Sequence, residues 1–359
     1  MDAQQKDRFS RQILFAGIGE QGQERLLASS AVLVGCGAMG TAVANLLVRA
    51  GLGSLRLIDR DFVEPSNLQR QTLYEETDAR DNLPKAVAAE RRLRAIDSGA
   101  RVEGIVADLT PENAREILSG FPLILDGTDN FETRLLINDA AIALGIPWIY
   151  AAAVGSAGVT MTIFPGETAC LACLLESGGE SQPQSSREAV PESANGVPPG
   201  ADETCDTAGV LGAAVNVIAS IEATEAVKIL IGRRDMLLGK LISFDVWSGD
   251  FRSIRVARQP ECRACVRSDL RYLEGEAQPH ITMCGRDSVQ IHERGRRLDL
   301  AELDRRLASV AADVRSNDFL LRFRVNSYYV TVFPDGRAIF KGTRDPAVAR
   351  SLYARYIGA

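Results

Sequence analysis

The chain has 359 residues, of which 46% are hydrophobic and 25% are charged, a composition typical of a globular protein with one large domain or two domains. Its formal net charge of -6 argues against a general nucleic-acid binder. Residues 1–9 are too polar for a secretory signal, and charged residues interrupt the longest apolar stretch, 208–231, so we expect no membrane span.

Charge and cysteines are unevenly distributed. From His280 to the end, 14 Lys and Arg outweigh 9 Asp and Glu, which leaves the preceding residues at -11. We favour a solvated basic face there over a docking surface for an acidic partner. Four of the seven cysteines form two Cys-x-x-Cys pairs, which without a secretory signal favours metal or thiol chemistry in a reducing cytoplasm.

Short apolar strands alternate with helical segments through the first half of the chain. The predicted strands are 31–34, 54–59, 101–106, 122–126 and 148–152, and the predicted helices are 41–50, 85–96, 111–118 and 130–144. This alternation predicts an α/β fold with a doubly wound, Rossmann-like, mostly parallel sheet.

Two later regions depart from this alternation. Residues 177–203 are rich in Ser, Gly, Pro and Glu, which predicts a mobile loop, either functional or a plain disordered insertion, within a first domain of residues 1–275. Residues 280–359 predict a small C-terminal α+β domain, whose role the residues do not indicate. Its predicted strands are 289–292, 320–325, 328–333 and 337–341, and its predicted helices are 300–310 and 347–356.

A glycine-rich loop follows the first strand. Gly35, Gly37 and Gly40 form a Gly-x-Gly-x-x-Gly run before a helix, where the helix N-terminus favours phosphate. Asp59 ends the next strand, at the position of an acid that commonly binds ribose. Alone, this pattern indicates a nucleotide site, as in a dehydrogenase, or a glycine turn that only packs helix against sheet.

Charged side chains gather at the predicted carboxyl ends of the strands. Asp59, Arg70, Lys85 and Asp129 all follow strands or open the next helix, so a doubly wound sheet would bring them to one crevice. Two cations and two acids suit a nucleoside triphosphate with Mg²⁺.

No histidine precedes His280, so the predicted main domain has no histidine base for hydride transfer or for a Ser/Cys–His pair. A carboxylate is already a nucleophile and needs no base to attack an α-phosphate. The residues therefore favour adenylation of a carboxylate by ATP over dehydrogenase chemistry.

Cys170, Cys173, Cys262 and Cys265 make up the two Cys-x-x-Cys pairs. Four thiolates make a closed tetrahedral set, which predicts a structural zinc site that clamps the chain. A redox role would need only one pair and would leave the other unexplained.

Cys205 lies at the end of the predicted loop, just before a long predicted helix. A thiolate is favoured near a helix N-terminus, which makes Cys205 a candidate nucleophile. The alternative is a small residue without a chemical role.

Taken together, these motifs resemble the ThiF/MoeB family, the bacterial relatives of ubiquitin-activating enzymes. The resemblance covers residues 6–275. Its matching segments are 8–13, 35–40, 59–71, 84–85, 126–130, 205–212 and both cysteine pairs. It implies ATP-dependent adenylation of the terminal glycine of a ThiS- or MoaD-like sulfur carrier. It also implies a homodimer in which Arg11 reaches the neighbouring subunit's site.

The resemblance assigns roles to individual residues. It implies that Asp59 binds the ribose, that Arg70 and Lys85 bind the phosphates and that Asp129 holds magnesium. Further nucleotide-binding residues implied by the same motifs are Asp61, Asn67, Gln69 and Asn130.

The resemblance also bears on sulfur chemistry. ThiF-type enzymes carry a cysteine at the position of Cys205 that can form an acyl-disulfide with the carrier, so we expect Cys205 to act after adenylation and to be dispensable for it. The C-terminal region resembles the extension of longer, Bacillus-type ThiF proteins and no rhodanese. It therefore favours ThiS and thiamin thiazole synthesis, with a separate sulfur donor such as a cysteine desulfurase.

Three alternatives remain open. One is MoaD adenylation in molybdopterin synthesis, and another is a relative that acts on a tRNA or small-molecule carboxylate. A non-catalytic partner subunit is the third, although the retained Arg11, Arg70, Lys85 and Asp129 argue against it.

Overall fold

The computed structural model of the chain describes residues 1–176, 208–275, 282–283, 288–292 and 297–358. The chain divides into two units, Met1–Glu276 and Ala277–Ala359. The predicted loop 177–203 and Cys205 lie outside the described residues. Within the described ranges, no helix is both long and apolar enough to cross a membrane.

An eight-stranded sheet forms the centre of the larger unit. Its strands are β1 Ser30–Val34, β2 Ser54–Ile58, β3 Arg101–Ile105, β4 Ile124–Asp126, β5 Trp148–Val154, β6 Ala157–Ile163, β7 Leu241–Asp245 and β8 Asp250–Ile254. Their order is β3-β2-β1-β4-β5-β6-β7-β8. The first five pair in parallel and the last three antiparallel. The chain reverses its winding direction between β1 and β4, which creates a crevice at their carboxyl ends.

Helices cover both faces of this sheet. They are α1 Ala3–Arg8, α2 Ser10–Ile13, α3 Gly19–Leu27, α4 Ala38–Ala50, α5 Glu76–Arg80, α6 Lys85–Ile96, α7 Ala114–Leu118, α8 Phe131–Leu144, α9 Leu171–Glu176 and α10 Gly212–Leu230. Alternate residues of β1 point to opposite faces, so Leu33 packs in one core with α4, α6 and α10, while Val34 packs in another with α7 and α8. The predicted doubly wound α/β fold is confirmed.

Three strands of the eight-stranded sheet lie outside the predicted set, namely β6, β7 and β8. Buried and partly exposed residues alternate in β6, and four of the five residues of β8 are exposed. These strands therefore lack the continuous apolar run that marks a parallel strand buried on both faces.

The described part of the smaller unit contains an antiparallel sheet and two α-helices. The strands are β9 Thr282–Met283, β10 Ser288–His292, β11 Ala312–Ser316, β12 Leu321–Val325, β13 Tyr328–Val332 and β14 Arg337–Lys341, and the helices are α11 Leu300–Leu307 and α12 Pro346–Leu352. The order of the strands in this sheet is β11-β12-β13-β14-β10-β9. One face of the sheet packs against both helices to form this unit's own core.

The sequence pattern overestimates the length of both α-helices of this unit. The helix predicted over 300–310 ends at Leu307, because the chain turns there to let β11 pair with β12. The helix predicted over 347–356 is α-helical only to Leu352 and closes with a π-helical turn, Tyr353–Ile357. Neither β9 nor β11 was among the predicted strands.

Candidate nucleotide site and cysteine cluster

The predicted glycine loop joins β1 to α4 and lies against the chain that follows β4. A Cβ at Gly35 would lie 2.5 Å from the carbonyl oxygen of Gly127, and one at Gly40 would lie 2.0 Å from the carbonyl oxygen of Gly35. At Gly37 the nearest atom would be 3.7 Å away, which is ordinary contact. Gly37 also precedes α4, whose N-terminus has no side-chain cap. Its amides are therefore suited to an anion.

Asp59 follows β2 and binds the glycine loop directly. Its Oδ2 accepts a 2.7 Å hydrogen bond from the backbone N–H of Cys36, and its Oδ1 accepts one of the same length from that of Asp61. Burial raises the pKa of the Asp59 carboxyl, and the nearby Lys85 ammonium and the two amide donors oppose that rise. The acid predicted to bind ribose is thus fixed beside the loop.

Lys85 is the first residue of α6 and is 3% exposed. Its Nζ lies 3.1 Å from Oδ2 of Asp61, and its backbone N–H donates to the Asp61 carbonyl at 2.8 Å. The buried hydroxyl of Tyr74 lies 2.7 Å from the Cys36 carbonyl oxygen and 3.2 Å from that of Lys85. Tyr74 therefore connects the glycine loop to α6. The sequence did not single it out, because its loop has no periodic pattern.

One buried and one exposed acid lie close together in sequence at the end of β4. Asp126 is fully buried, accepts from the backbone N–H of Thr128 at 2.9 Å and pairs with Arg134 of α8 at 3.0 Å. Asp129 is exposed, and Asn130 caps α8. Asp126 therefore braces the segment from inside, while Asp129 presents its carboxylate to solvent at the same edge of the sheet.

A further cation lies at this edge, and the sequence did not single it out. Arg60, which follows Asp59, donates to Oδ2 of Asp108 at 2.7 Å and lies 3.9 Å from Asp61. Burial lowers the pKa of Arg60, but Asp108 and Asp61 outweigh that effect and raise it overall. Only the fold shows this arrangement, because Asp108 follows β3, far away in sequence.

The other residues predicted between β2 and α6 have different surroundings. The side chain of Asn67 is buried and accepts from the backbone N–H of Glu64 at 3.1 Å, so it stabilises its own turn. Gln69 is exposed, and Arg70 is partly exposed. Both residues lie beside the start of α10, since a Cβ at Gly212 would lie 3.8 Å from that of Arg70.

Arg11 is not close to the glycine loop of its own chain. It is exposed on α2, and the amide of the adjacent Gln12 donates to the carbonyl of Ala50 at 2.7 Å. Ala50 ends α4, whereas the glycine loop precedes it. Because 13 helical residues span about 20 Å, the structure separates Arg11 from the other predicted site residues.

The four predicted cysteines come together in one cluster. The Sγ atoms of Cys170 and Cys173 are 3.8 Å apart, those of Cys170 and Cys262 are 3.6 Å apart, and those of Cys173 and Cys265 are 3.5 Å apart. All four atoms lie within 4.8 Å of one another, so the cluster could hold a metal ion. A hydrogen bond from Cys170 lowers the pKa of Cys173 to about 4.

These sulfur separations fit a tetrahedral metal. A Zn–S bond of about 2.3 Å gives tetrahedron edges of about 3.8 Å. The backbone N–H of Gln259 also donates to Sγ of Cys173 at 3.4 Å, and Arg258 donates to the Cys265 carbonyl at 2.7 Å. The cluster therefore has a ligand geometry and supporting hydrogen bonds that could hold a tetrahedral metal ion.

Known proteins match this chain over most of its length. The model of the ThiF family matches residues 9–264. A sulfur carrier protein ThiS adenylyltransferase from Bacillus subtilis is 43% identical over 355 residues, which are 98% of this chain and 99% of that protein. A sulfur carrier protein adenylyltransferase from Thermus thermophilus is 39% identical over 265 residues, which are 72% of this chain and 90% of that protein.

A solved structure has a fold similar to that of this chain. The crystal structure of E. coli MccB with ATP has a TM-score of 0.58 and covers 72% of this chain and 74% of its own. With 23% sequence identity, this similarity concerns the fold alone.

A substitution in the glycine loop should affect ATP binding without affecting the stability of the fold. Gly37→Ala should change the free energy of unfolding by less than about 0.5 kcal/mol, because its Cβ makes only ordinary contacts. It should weaken ATP binding at least about tenfold, because the methyl group would lie where phosphate approaches α4. Thermal unfolding and equilibrium dialysis with ATP measure the two effects.

Gly40→Ala is the contrasting variant. Its Cβ would overlap the Gly35 carbonyl, so it should destabilise the fold by about 1–3 kcal/mol. ATP binding by Gly37→Ala that equals the wild type would show that phosphates do not occupy this loop.

Proposed function

The chain belongs to the ThiF family, and we propose that it uses ATP to adenylate the C-terminal glycine carboxylate of a ThiS-like sulfur-carrier protein. The observation that carries the proposal is the match to the B. subtilis ThiS adenylyltransferase, which spans nearly the whole of both chains. That match includes the smaller unit, which favours a ThiS-like carrier over a MoaD-like one. The product would serve sulfur transfer in thiamin thiazole biosynthesis.

The proposed reaction needs no proton transfer. A carboxylate oxygen of the carrier attacks the α-phosphorus of ATP, and the bond to the β-phosphate breaks. Pyrophosphate leaves with the bonding electron pair. Both the nucleophile and the leaving group are anions, so the protein's task is to position them and to neutralise charge. The absence of histidine before His280 is consistent with this chemistry.

We assign the nucleotide's parts to the described residues. Asp59 would accept from the ribose hydroxyls, and the amides at the start of α4 would bind phosphate. Lys85 and Arg70 would stabilise the charge on the reacting phosphates. In this arrangement Asp61 holds the Lys85 ammonium at the rim of the glycine loop.

Asp129 is the residue we assign to Mg²⁺. It is exposed at the end of β4, and its carboxylate is the type of ligand that Mg²⁺ prefers. When bound, the ion would supply charge neutralisation for the phosphates.

Pyrophosphate exchange tests the proposed activity. The purified chain should incorporate labelled pyrophosphate into ATP when a ThiS-like carrier is present, and more slowly with a MoaD-like carrier. Lys85→Met should lower the exchange rate by about 100-fold or more, because a buried cation at the phosphates is lost. Arg92→Met changes an exposed arginine on the same helix and should leave the rate unchanged.

Cys205→Ala belongs in the same assay, because we assign Cys205 to sulfur transfer after adenylation. Exchange should survive this substitution, and its loss would refute that separation of roles. Faster exchange with the MoaD-like carrier would favour molybdopterin synthesis. Exchange with neither carrier would favour a tRNA or small-molecule carboxylate.

We assign zinc to the four-cysteine cluster. Elemental analysis of purified chain should give about one zinc per chain. Cys262→Ser should lose that metal and lower the melting temperature by several degrees, because metal binding contributes to folding. Cys36→Ser, which changes a buried cysteine outside the cluster, should keep the zinc. Wild-type protein without zinc but with reduced cysteines would refute the assignment.

We propose a homodimer in which Arg11 completes the partner's site. Arg11 lies far from its own glycine loop, and the residues after it expose apolar surface, with Leu14 74% and Phe15 65% exposed. Surface of this kind commonly marks an interface between subunits.

Mixing two inactive variants tests the shared site. Arg11→Ala and Lys85→Met should each be inactive alone in exchange. After subunit exchange, half of the dimers would be mixed and each would hold one intact site, so activity should recover to about one quarter of wild type. A mixture that stays inactive, although mixed dimers are shown to form by mass spectrometry, would refute a shared site.

A further inference from the structure

One end of α8 is built into the candidate nucleotide site. Asn130 caps this helix by accepting from the backbone N–H of Thr133 at 2.9 Å. One turn later, Arg134 pairs with Asp126 at 3.0 Å and donates to the carbonyl of Thr128 at 2.6 Å. A shift of α8 would therefore shift the segment that carries Asp129.

The other half of α8 binds the first cysteine pair. Asn138 is fully buried, and its Oδ1 accepts from the backbone N–H of Leu171 at 2.9 Å. Leu171 directly follows Cys170. This hydrogen bond therefore fixes the peptide that carries one of the four thiols.

The next residue of α8 binds the second cysteine pair. Asp139 is also fully buried, and Arg263, which follows Cys262, lies 3.4 Å from its Oδ2. The same carboxylate accepts from the backbone N–H of Tyr272 at 3.1 Å. Two adjacent side chains thus hold one cysteine pair each.

The spacing of these contacts lets α8 connect the candidate nucleotide site directly to the cysteine cluster. Asn130, Arg134 and Asn138 are four residues apart, so they share one face of the helix and rise about 6 Å per step. A buried carboxylate such as Asp139 is costly unless it is paired, and an apolar residue could fill the space at lower cost. Stability alone therefore does not explain why Asn138 and Asp139 are polar. The positions that they impose on the two cysteine pairs explain it better.

We infer that α8 couples metal occupancy of the cysteine cluster to nucleotide binding, with Asn138 and Asp139 as the positioning residues at the cluster. This inference rests on the ATP and zinc sites proposed above. Coupling of this kind is reciprocal: if bound zinc strengthens ATP binding, then bound ATP must strengthen zinc binding by the same factor.

The rate of zinc release provides the test. The zinc-loaded chain is mixed with a chromophoric chelator in the presence or absence of saturating Mg·ATP, without carrier protein. ATP should raise the affinity for zinc about fivefold. Because changes in affinity appear mostly in the dissociation rate, ATP should slow release by about the same factor in the wild type. Asn138→Ala should release zinc faster, and ATP should slow that release less than in the wild type, because one of the two connections from α8 to the cluster is lost. GTP at the same concentration controls for metal binding by the nucleotide.

Arg258→Ala is the matched control. Arg258 supports the cluster through the carbonyls of Cys265 and Gly166, and among the described residues it makes no hydrogen bond or ion pair with α8. This variant should also release zinc faster, but it should keep the fivefold protection by ATP. The contrast separates a weaker metal site from a broken connection.

Three results would overturn the inference. They are ATP-independent release in a wild type that binds both zinc and ATP, undiminished ATP protection in Asn138→Ala, and lost protection in Arg258→Ala. If Asn138→Ala fails to fold, Asp139→Asn replaces it and must weaken the protection. Absence of zinc, or of ATP binding in equilibrium dialysis, would instead refute the proposed sites on which the inference rests.

Discussion

The close backbone approach between the loop after β1 and the segment after β4 is the constraint on which the larger unit's site depends. Gly35, Gly40 and Gly127 lie so near one another that a Cβ at any of them would overlap a carbonyl oxygen. This approach brings the N-terminus of α4 and the segment carrying Asp129 to one edge of the sheet. Asp59 then fixes the loop from the β2 side through the N–H of Cys36. The site is therefore held mainly by backbone, and its charged side chains are placed around that frame.

The buried carboxyl group of Glu222 supports this backbone frame from the side of α10. The backbone N–H of Asp126 donates to Glu222 of α10 at 3.1 Å, and Glu222 is fully buried. Burial, and then the carboxylate of Asp126, raise the pKa of Glu222 well above its ordinary value. The folded chain therefore keeps a proton that the unfolded chain releases, so the contribution of Glu222 to stability falls as pH rises above its ordinary pKa. Together with the Asp126–Arg134 pair, Glu222 fixes the position of the end of β4.

Sequence patterns predict the parts of this protein that depend on local order or on a recognisable set of ligand residues. The bounds of α6 and β14 agree with the predicted 85–96 and 337–341, and the spacing of the cysteines correctly placed all four in one cluster. Tyr74 and Arg60 escaped prediction because Cys36 and Asp108, the residues to which they donate, are far away in sequence and follow other strands. The half-exposed strands β6, β7 and β8 lack the apolar run of the parallel strands. Arg11 could be proposed only from family resemblance, because nothing in its own sequence surroundings points to a site in another subunit.

The antiparallel strands determine which parts of the chain the cysteine cluster joins. Cys170 follows β6 and Cys262 follows β8, and 92 residues separate the two. A metal there would join the chain after β6 to the chain after β8 and so limit where α10, which lies between them in sequence, can pack. The start of α10 lies beside Arg70, and the residue pair Gly155 and Val210 ties the chain before α10 to the end of β5. A metal bound to the cluster would therefore fix the far ends of elements whose near ends form the candidate nucleotide site.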